Sequence, residues 1–160
     1  MEDSAKGFSD FGGGVEGNET LLQTAYREGS EELSGFLGNE SDLQILVKKN
    51  GGFYEIHHKE HNYHIHIFFL EYNEELPRYF TNHHQFVWKR MNKDLLNNSK
   101  LFEKQEIRWF SAKQLKNKKG EFRSFYQSIV DQLISELPNI STFIMKKSRK
   151  RGTRKLKGGS

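Results

Sequence analysis

Apolar residues in the first part of the chain follow two different spacings. Phe8 to Phe11 alternates apolar and polar residues before three glycines, which predicts a short strand that enters a tight turn. Thr20 and Gln23 form a capping-box pattern, which predicts that a helix begins at Thr20. The buried stripe of this helix repeats at helical spacing through Leu22, Ala25, Tyr26, Gly29 and Leu33. Gly35 or Gly38 is expected to end it.

The middle of the chain carries the pattern of three strands. The segments Asp42–Lys49 and Gly52–His58 are predicted to be strands, joined around Asn50-Gly51, a strong signal for a hairpin turn. A loop at Lys59–Asn62 then leads into a third predicted strand, Tyr63–Leu70. We expect these strands to form part of one sheet.

The segment that follows is predicted to be largely helical. A helix is expected over Glu74–Leu96, with Pro77 near its start. A short strand is predicted at Glu106–Phe110, and Ser111 is expected to cap a small helix that runs through Leu115.

The last element predicted from the pattern is a long amphipathic helix. Residues Asn117–Gly120 break the chain, and Pro138 is expected to stop the helix that follows. Its apolar stripe consists of Phe122, Phe125, Tyr126, Ile129, Val130, Leu133, Ile134 and Leu137. Helices that alternate with strands favour an α/β fold, with helices packed on both sides of a mixed sheet.

The distribution of charge separates a body from a tail. With 160 residues, the chain has the length of one domain, which we place at residues 1–145, with a formal charge of −4. Residues 146–160 are expected to be a disordered tail, which is either simply solvated or a contact for RNA or another anionic surface. Its eight cations are Lys146, Lys147, Arg149, Lys150, Arg151, Arg154, Lys155 and Lys157.

Several classes of protein are disfavoured by composition. The longest apolar stretch, Ile65–Leu70, is far shorter than the ~20 residues that span a bilayer, so no membrane association is expected. The sequence has no cysteine, and Met1–Lys6 lacks the basic and apolar regions of a secretory signal. We therefore expect an intracellular protein, in the host cytoplasm if the chain is viral.

Three carboxylates crowd onto one face of the first predicted helix. Glu28, Glu31 and Glu32 lie within an arc of about 100°, and Arg27 lies one turn before Glu31. Because like charges at this spacing repel, a cation between them is the first expectation, and oxygen ligands suit Mg²⁺ or Mn²⁺ bound to phosphates. A solvated acidic helix face is the alternative that the three glutamates alone would favour.

The spacing of the whole segment is more specific. It resembles the Nudix box, in which Gly, five residues, Glu, seven residues, Arg-Glu, an aliphatic residue, any residue and Glu-Glu follow one another. Six residues fall on this pattern: Gly13, Glu19, Arg27, Glu28, Glu31 and Glu32. Gly29 stands where an aliphatic residue is usual, and Ser34-Gly35 stands where the box ends in Gly and an aliphatic residue.

The resemblance implies a role for each residue of the box. In Nudix hydrolases, Arg-Glu-x-x-Glu-Glu binds catalytic divalent ions, and water attacks a diphosphate linked to another moiety, X. Glu28, Glu31 and Glu32 would then be metal ligands, with Glu28 also near the attacking water. The carbonyl of Gly12 would be a further ligand. Gly13, Glu19 and Arg27 would be structural, with Arg27 orienting the ligand glutamates through ion pairs.

The resemblance extends beyond the box. The segment Glu106–Leu115 is similar to a late strand and turn of the Nudix fold, and with Ser9–Gly14 it resembles Nudix proteins of large DNA viruses. Only twelve residues precede Gly13, so the sheet is expected to lack one or more N-terminal strands. Glu103 and Glu106 are candidates for a distant carboxylate that reaches the metal.

Two further groups of residues have alternative interpretations. His64 and His66 share one strand face and would belong to a second metal site or be ordinary strand histidines. The predicted helix at Glu74–Leu96 carries residues that would stack a base and hold phosphates, or pack in the core. They are Arg78, Tyr79, Phe80, Phe86, Trp88, Lys89 and Arg90.

The resemblance therefore implies a divalent-metal-dependent Nudix hydrolase of a nucleoside diphosphate linked to X. The basic tail and the aromatic helix favour an mRNA cap or a capped RNA as the substrate. Dinucleoside polyphosphates, sugar nucleotides and diphosphoinositol phosphates stay open. The alternative function is a non-catalytic module of the same fold that binds nucleotide or RNA.

Overall fold

A computed structural model describes residues 6–99 and 102–157, with side chains through residue 146. Within these residues the protein is a mixed helical and sheet structure with six α-helices and one two-stranded antiparallel sheet. This agrees with the α/β class at a coarse level, but the mixed sheet that we predicted is not present among the described residues. The elements are α1 (Leu21–Glu32), α2 (Glu40–Lys49), β1 (Phe53–His58), β2 (Tyr63–Phe68), α3 (Leu76–Arg90), α4 (Lys93–Asn98), α5 (Ala112–Asn117) and α6 (Tyr126–Lys157).

The chain folds into two compact units, each assembled from separate segments. Residues 10–46 and 71–109 form the glutamate unit, which contains α1, most of α2, α3 and α4. Residues 6–9, 47–70 and 110–157 form the hairpin unit, which contains β1, β2, α5 and α6. The expected domain at residues 1–145 therefore contains more than one compact unit.

The core of the hairpin unit lies between the hairpin and α6. Ile56 on β1 faces Ile65 on β2 across the antiparallel register, and both are buried. On α6, Ile129 and Val130 are fully buried against this face. Most of the apolar stripe predicted for α6 therefore forms a core surface, whereas Phe125 lies before the helix and is 44% exposed.

The N-terminal segment of the hairpin unit forms one bridge instead of the strand predicted at Phe8–Phe11. Phe8 pairs in parallel with Phe122, with its N–H 2.9 Å from the carbonyl of Glu121. The Phe8 ring also contacts Phe110 and Phe122 edge to face. The following residues lead straight into the glycine loop, so pairing does not continue to Phe11.

Helix α6 continues past Pro138, where we predicted that it would stop. Proline removes one backbone hydrogen bond from the helix interior. Residues beyond it nevertheless pack on the hairpin: Ile140 is buried in the core, and the Phe143 ring lies 6.0 Å from the ring of Tyr54. The tertiary contacts on both sides of the proline outweigh its local cost.

The backbone of α6 remains helical through Lys157, whereas the charge pattern predicts a disordered tail from residue 146. Lysine and arginine have high helix propensity, so a helix that is already nucleated by core packing can extend through them. Residues 158–160 of the predicted tail lie outside the described residues.

Helix α2 occupies the segment that we predicted as the strand Asp42–Lys49. Asn39 and Asp42 cap it reciprocally, each side chain accepting the backbone N–H of the other at 3.1 Å. Leu43 and Val47, one turn apart, are its buried residues, while Ile45 is 63% exposed. The buried residues of this segment are therefore a helical i, i+4 pair, and the apolar residue between them is exposed.

Asn50-Gly51 ends α2 instead of forming the predicted hairpin turn. Gly51 and Gly52 both have positive φ, of 96° and 86°, and the Gly52 N–H donates to the carbonyl of Val47 at 2.9 Å. The turn of the hairpin lies at the predicted loop, between β1 and β2. The two strands beside it are confirmed, with β2 ending two residues earlier than we expected.

The second half of the glutamate unit differs from prediction at two places. The helix expected over Glu74–Leu96 divides into α3 and α4, because the Asn92 side chain accepts the N–H groups of Asp94 and Leu95 and starts a new helix. The strand predicted at Glu106–Phe110 is absent from the described sheet. In the hairpin unit, the cap predicted at Ser111 is confirmed by a reciprocal capping box with Gln114.

A contact between α1 and α2 leads to a stability prediction. A Cβ atom built on Gly29 would lie 3.1 Å from Leu43 Cδ2, so Leu43 fills the space that an aliphatic residue at position 29 would need. We expect Gly29→Leu to lower the free energy of unfolding by about 1–3 kcal/mol through overpacking. In a Leu43→Ala background, the same substitution should cost less or stabilise. Urea unfolding of the four proteins measures this coupling, and additive effects would contradict it.

Candidate functional site

The start of α1 is fixed by the capping box that the sequence predicts. The Thr20 side chain accepts the N–H of Gln23 at 3.2 Å, and the Gln23 side chain accepts the N–H of Thr20 at 2.8 Å. Because the helix begins at Leu21, four of the five charged residues of the box fall on its last two turns, and Glu19 precedes the helix. This helix end lies in the glutamate unit, beside the glycine loop.

Arg27 connects the glycine loop to the charged face of α1. Its side chain is only 9% exposed, and Nε donates to Glu19 Oε1 at 2.8 Å. Nη1 donates to Glu28 at 2.6 Å and to Glu31 at 3.3 Å, and Nη2 donates to the carbonyl of Gly14 at 2.9 Å. One buried guanidinium therefore holds three carboxylates and one loop carbonyl.

Glu19 is the most strongly stabilised carboxylate of this network. Hydrogen bonds from Arg27 lower the pKa of Glu19 from 4.5 to about 2, with further contributions from the N–H of Glu16 and the hydroxyl of Thr24. The Arg27 pKa is raised, mainly by the same hydrogen bonds. The pair thus stays ionised, and it fixes the guanidinium in place for the other two glutamates.

Gly13 provides room for Glu28. A Cβ atom at position 13 would lie 2.3 to 2.8 Å from the carboxylate atoms of Glu28, so a side chain there would push this carboxylate out of its present position. Gly14, in contrast, has open space where its Cβ would be. The first glycine of the box pattern therefore leaves room for a helix carboxylate to lie against the loop.

Glu32 is the buried carboxylate of the site, with 8% of its side chain exposed. Its Oε2 accepts the N–H of Gly12 at 2.9 Å, and its Oε1 lies 3.0 Å from Lys104 Nζ. Burial raises the pKa of Glu32, and the charge of Lys104 opposes that rise. Gly12, whose carbonyl we expected as a metal ligand, is thus tied to Glu32 through its N–H.

The donor chemistry of the site suits a hard divalent cation, because every candidate ligand is an oxygen. Within residues 6–99 and 102–146, however, no three His, Cys, Asp or Glu side chains converge as a group that could hold a metal ion. The contacts explain this: Arg27 holds Glu28 and Glu31, and Lys104 holds Glu32. The carboxylate oxygens are ligands of the type that Mg²⁺ or Mn²⁺ prefers. In the observed arrangement, cations of the chain itself neutralise these carboxylates.

Lys104, in the segment before α5, contacts Glu32 of α1. It lies between Glu103 and Glu106, the two residues that we predicted as a distant carboxylate ligand. Glu103 is exposed, and Glu106 pairs with Arg108 at 3.1 Å. Neither is a partner of the α1 glutamates in the contacts described above. A single lysine in an irregular segment carries no sequence signal for such a role, so sequence reasoning missed it.

The two strand histidines belong to a separate cluster in the hairpin unit. His64 Nδ1 lies 3.1 Å and His66 Nε2 lies 3.9 Å from the same oxygen, Oε1 of Glu55. The His57 and His64 rings stack with centroids 4.2 Å apart. Burial lowers the pKa of His66. These contacts describe strand histidines paired with a carboxylate, the simpler of the two interpretations.

The aromatic residues of α3 divide between the core and the surface. Phe80 is buried, and Trp88 donates to the carbonyl of Phe102 at 3.3 Å. Tyr79 and Phe86 are 54% and 60% exposed, two turns apart, and each lies under an arginine. Their cation–π partners are Arg78, at 5.0 Å, and Arg90, at 5.5 Å.

Of the eight predicted RNA-binding cations, Lys146 is exposed near the middle of α6. The side chains of Lys147, Arg149, Lys150, Arg151, Arg154, Lys155 and Lys157 lie outside the described residues. Among the helices that the structure describes, none combines the length and apolar character needed to cross a bilayer.

Comparison of the chain with protein-family models, curated proteins and solved structures found no match. The function has to be inferred from the residues themselves.

The depressed pKa of Glu19 predicts a pH-dependent contribution to stability. Because its folded pKa of about 2 lies below 4.5, ionised Glu19 stabilises the fold fully above pH 4.5 and loses this effect as the pH falls toward 2. We expect Glu19→Gln to lower the free energy of unfolding at pH 6, with a difference from the unsubstituted protein that shrinks steadily toward pH 2.

Urea unfolding at pH 6, 4 and 3 measures this difference. Glu60→Gln, in the exposed turn between β1 and β2, is the matched control and should follow the unsubstituted protein at each pH. A Glu19→Gln penalty that is unchanged between pH 6 and pH 3 would show that the ion pair with Arg27 is not its cause.

Proposed function

We propose that the chain is a divalent-metal-dependent Nudix-type hydrolase that cleaves the diphosphate of a nucleoside diphosphate linked to another moiety. The substrate we favour is an mRNA cap or a capped RNA. The site consists of the glycine loop and the carboxylates of α1, all within the glutamate unit.

The network around Arg27 is the observation that carries this proposal. A solvated acidic face would leave its glutamates exposed and independent of one another. Here Glu19, Glu28 and Glu31 share one buried guanidinium, and the Glu28 carboxylate lies against Gly13 in the space that a side chain would occupy. Five positions of the box pattern are therefore linked to one another by contacts, which favours a built site over a chance spacing.

In this proposal Glu28, Glu31 and Glu32 hold the divalent ion, together with the carbonyl of Gly12. When bound, Mg²⁺ or Mn²⁺ supplies Lewis acidity, activation of water and neutralisation of phosphate charge. Arg27 keeps Glu28 and Glu31 on the side of the helix that faces the loop. The glycine loop leaves open space at Gly14, where a phosphate could approach the backbone.

Exposed aromatic side chains on α3 support a nucleic-acid substrate. Tyr79 and Phe86 present ring faces at the surface, and Arg78 and Arg90 place positive charge beside them. Aromatic rings bind unstacked bases and arginines bind phosphates, which is the combination found in single-strand binding surfaces. The cations of the C-terminal end of α6 are proposed as a second contact with RNA.

The alternative candidate is a non-catalytic module of the same type that binds nucleotide or RNA. It is favoured by one observation, the pairing of all three candidate ligands with cations of the chain. A binding module of this kind would keep its nucleotide intact when Mg²⁺ or Mn²⁺ is added. Incubation with a panel of phosphoanhydrides, including capped RNA, sugar nucleotides, dinucleoside polyphosphates and diphosphoinositol phosphates, separates the two functions.

Glu31→Gln is the sharpest test of the catalytic site. We expect turnover to fall by at least about 100-fold, because even residues that only orient metal ligands are worth about 10–100-fold. The fold should persist, since Glu31 is partly exposed and accepts the longest of the hydrogen bonds that Arg27 donates, at 3.3 Å. Steady-state hydrolysis and circular dichroism measure the two effects, and Glu60→Gln is the control. Full activity in Glu31→Gln would contradict the assignment.

The surface of α3 yields a prediction about substrate class. Tyr79→Ala and Phe86→Ala should each raise KM for capped RNA several-fold, because base stacking on an aromatic ring contributes about 1–3 kcal/mol per base. Hydrolysis of a free sugar nucleotide should change much less. Tyr72→Ala removes an equally exposed aromatic ring outside α3 and is the matched control. Equal loss on both substrates would point to a folding defect or a shared nucleotide pocket.

A further inference from the structure

The pairing of Lys104 with Glu32 occupies a carboxylate that the proposed function needs. Lys104 Nζ lies 3.0 Å from Glu32 Oε1, and the two side chains are 19% and 8% exposed. The other carboxylate oxygen accepts the N–H of Gly12. A carboxylate this deeply buried is costly unless a positive charge compensates it, and Lys104 provides that charge.

The two cations of the site bind their carboxylates through different chemical groups. Arg27 donates through all three of its nitrogens to Glu19, Glu28, Glu31 and the Gly14 carbonyl, in a planar geometry that cannot be displaced in one step. Lys104 meets Glu32 through a single ammonium at the end of a flexible four-carbon chain. A divalent ion that approaches Glu32 therefore competes with Lys104 far more easily than with Arg27.

We propose that Lys104 is an internal counter-cation that neutralises Glu32 until a divalent ion binds, and that metal binding releases its ammonium from the carboxylate. This inference rests on the proposed function, because it takes Glu32 as a ligand of the metal. It also accounts for the lack of a converged carboxylate group in the described residues: the ligands are paired with cations of the chain. Lys104 is thus a positioning residue whose contact with Glu32 is specific to the metal-free state.

Calorimetric titration of the full chain with Mn²⁺ tests the competition directly. Lys104→Met removes the competing charge and keeps most of the side-chain volume, so Mn²⁺ should bind more tightly, on the order of tenfold, the scale of one charge-assisted hydrogen bond. Lys118→Met is the matched control, because Lys118 pairs with Glu121 at 2.8 Å in the hairpin unit. It should leave Mn²⁺ affinity unchanged.

The outcomes distinguish this inference from the proposed function. In one outcome, Glu31→Gln weakens Mn²⁺ binding but Lys104→Met leaves the affinity unchanged or lowers it. Lys104 is then only a structural partner of Glu32, and the inference is overturned while the proposed metal site stands. If the unsubstituted chain binds no Mn²⁺, or if Glu31→Gln has no effect on binding, the proposed metal site fails and the inference fails with it.

A measurement on the unsubstituted chain avoids any folding defect of the variant. The rate at which each lysine is acetylated by a soluble acylating reagent can be followed by mass spectrometry of peptides, with and without Mn²⁺. Release from Glu32 should make Lys104 react several-fold faster when Mn²⁺ is bound, while Lys118 reacts at the same rate. A Lys104 rate that is unchanged or reduced by saturating Mn²⁺ would overturn the inference.

Discussion

The arrangement of the candidate site depends on the neutralisation of clustered carboxylates by a buried guanidinium. Three glutamates on adjacent turns of α1 would repel one another and destabilise the end of the helix if they were left alone. Arg27 removes that repulsion at Glu28 and Glu31, and its bond to Glu19 fixes the guanidinium from the opposite side. The same side chain holds the Gly14 carbonyl, so the glycine loop and the helix behave as one structural element.

Glu32 stands apart from this network, and the difference is informative. It is the most buried of the candidate ligands and takes its compensation from Lys104, which belongs to a distant segment of the chain. Some contacts of the site are local, because they form within α1 and the glycine loop. The contact of Glu32 is long-range, because it requires the segment before α5. Glu32 is consequently the ligand whose environment depends most on the folding of the rest of the glutamate unit.

The parts of this structure that could be predicted from the sequence are those that local interactions decide. The caps at Thr20 and Ser111 were predicted correctly, because each depends on a partner three residues away. Tertiary packing decided the elements that were predicted wrongly. The segment of α2 was predicted as a strand that leads into a hairpin turn at Asn50-Gly51, whereas its buried Leu43 and Val47 lie one helical turn apart. Pro138 was predicted to end α6, although the residues after it pack on the hairpin. The contact of Lys104 with Glu32 joins residues far apart in sequence, and no local pattern encodes it.

The histidines of the hairpin have a consequence for how β1 and β2 pair. In the observed register, Glu55 faces His66 and His57 faces His64, while Ile56 faces Ile65 on the side that packs against α6. A slip of either strand by one residue would turn its polar side chains into the core and its isoleucine out to water. The alternation of histidine and isoleucine therefore makes a misaligned hairpin energetically costly. This cost is important because a sheet of two strands has few backbone hydrogen bonds to hold its register.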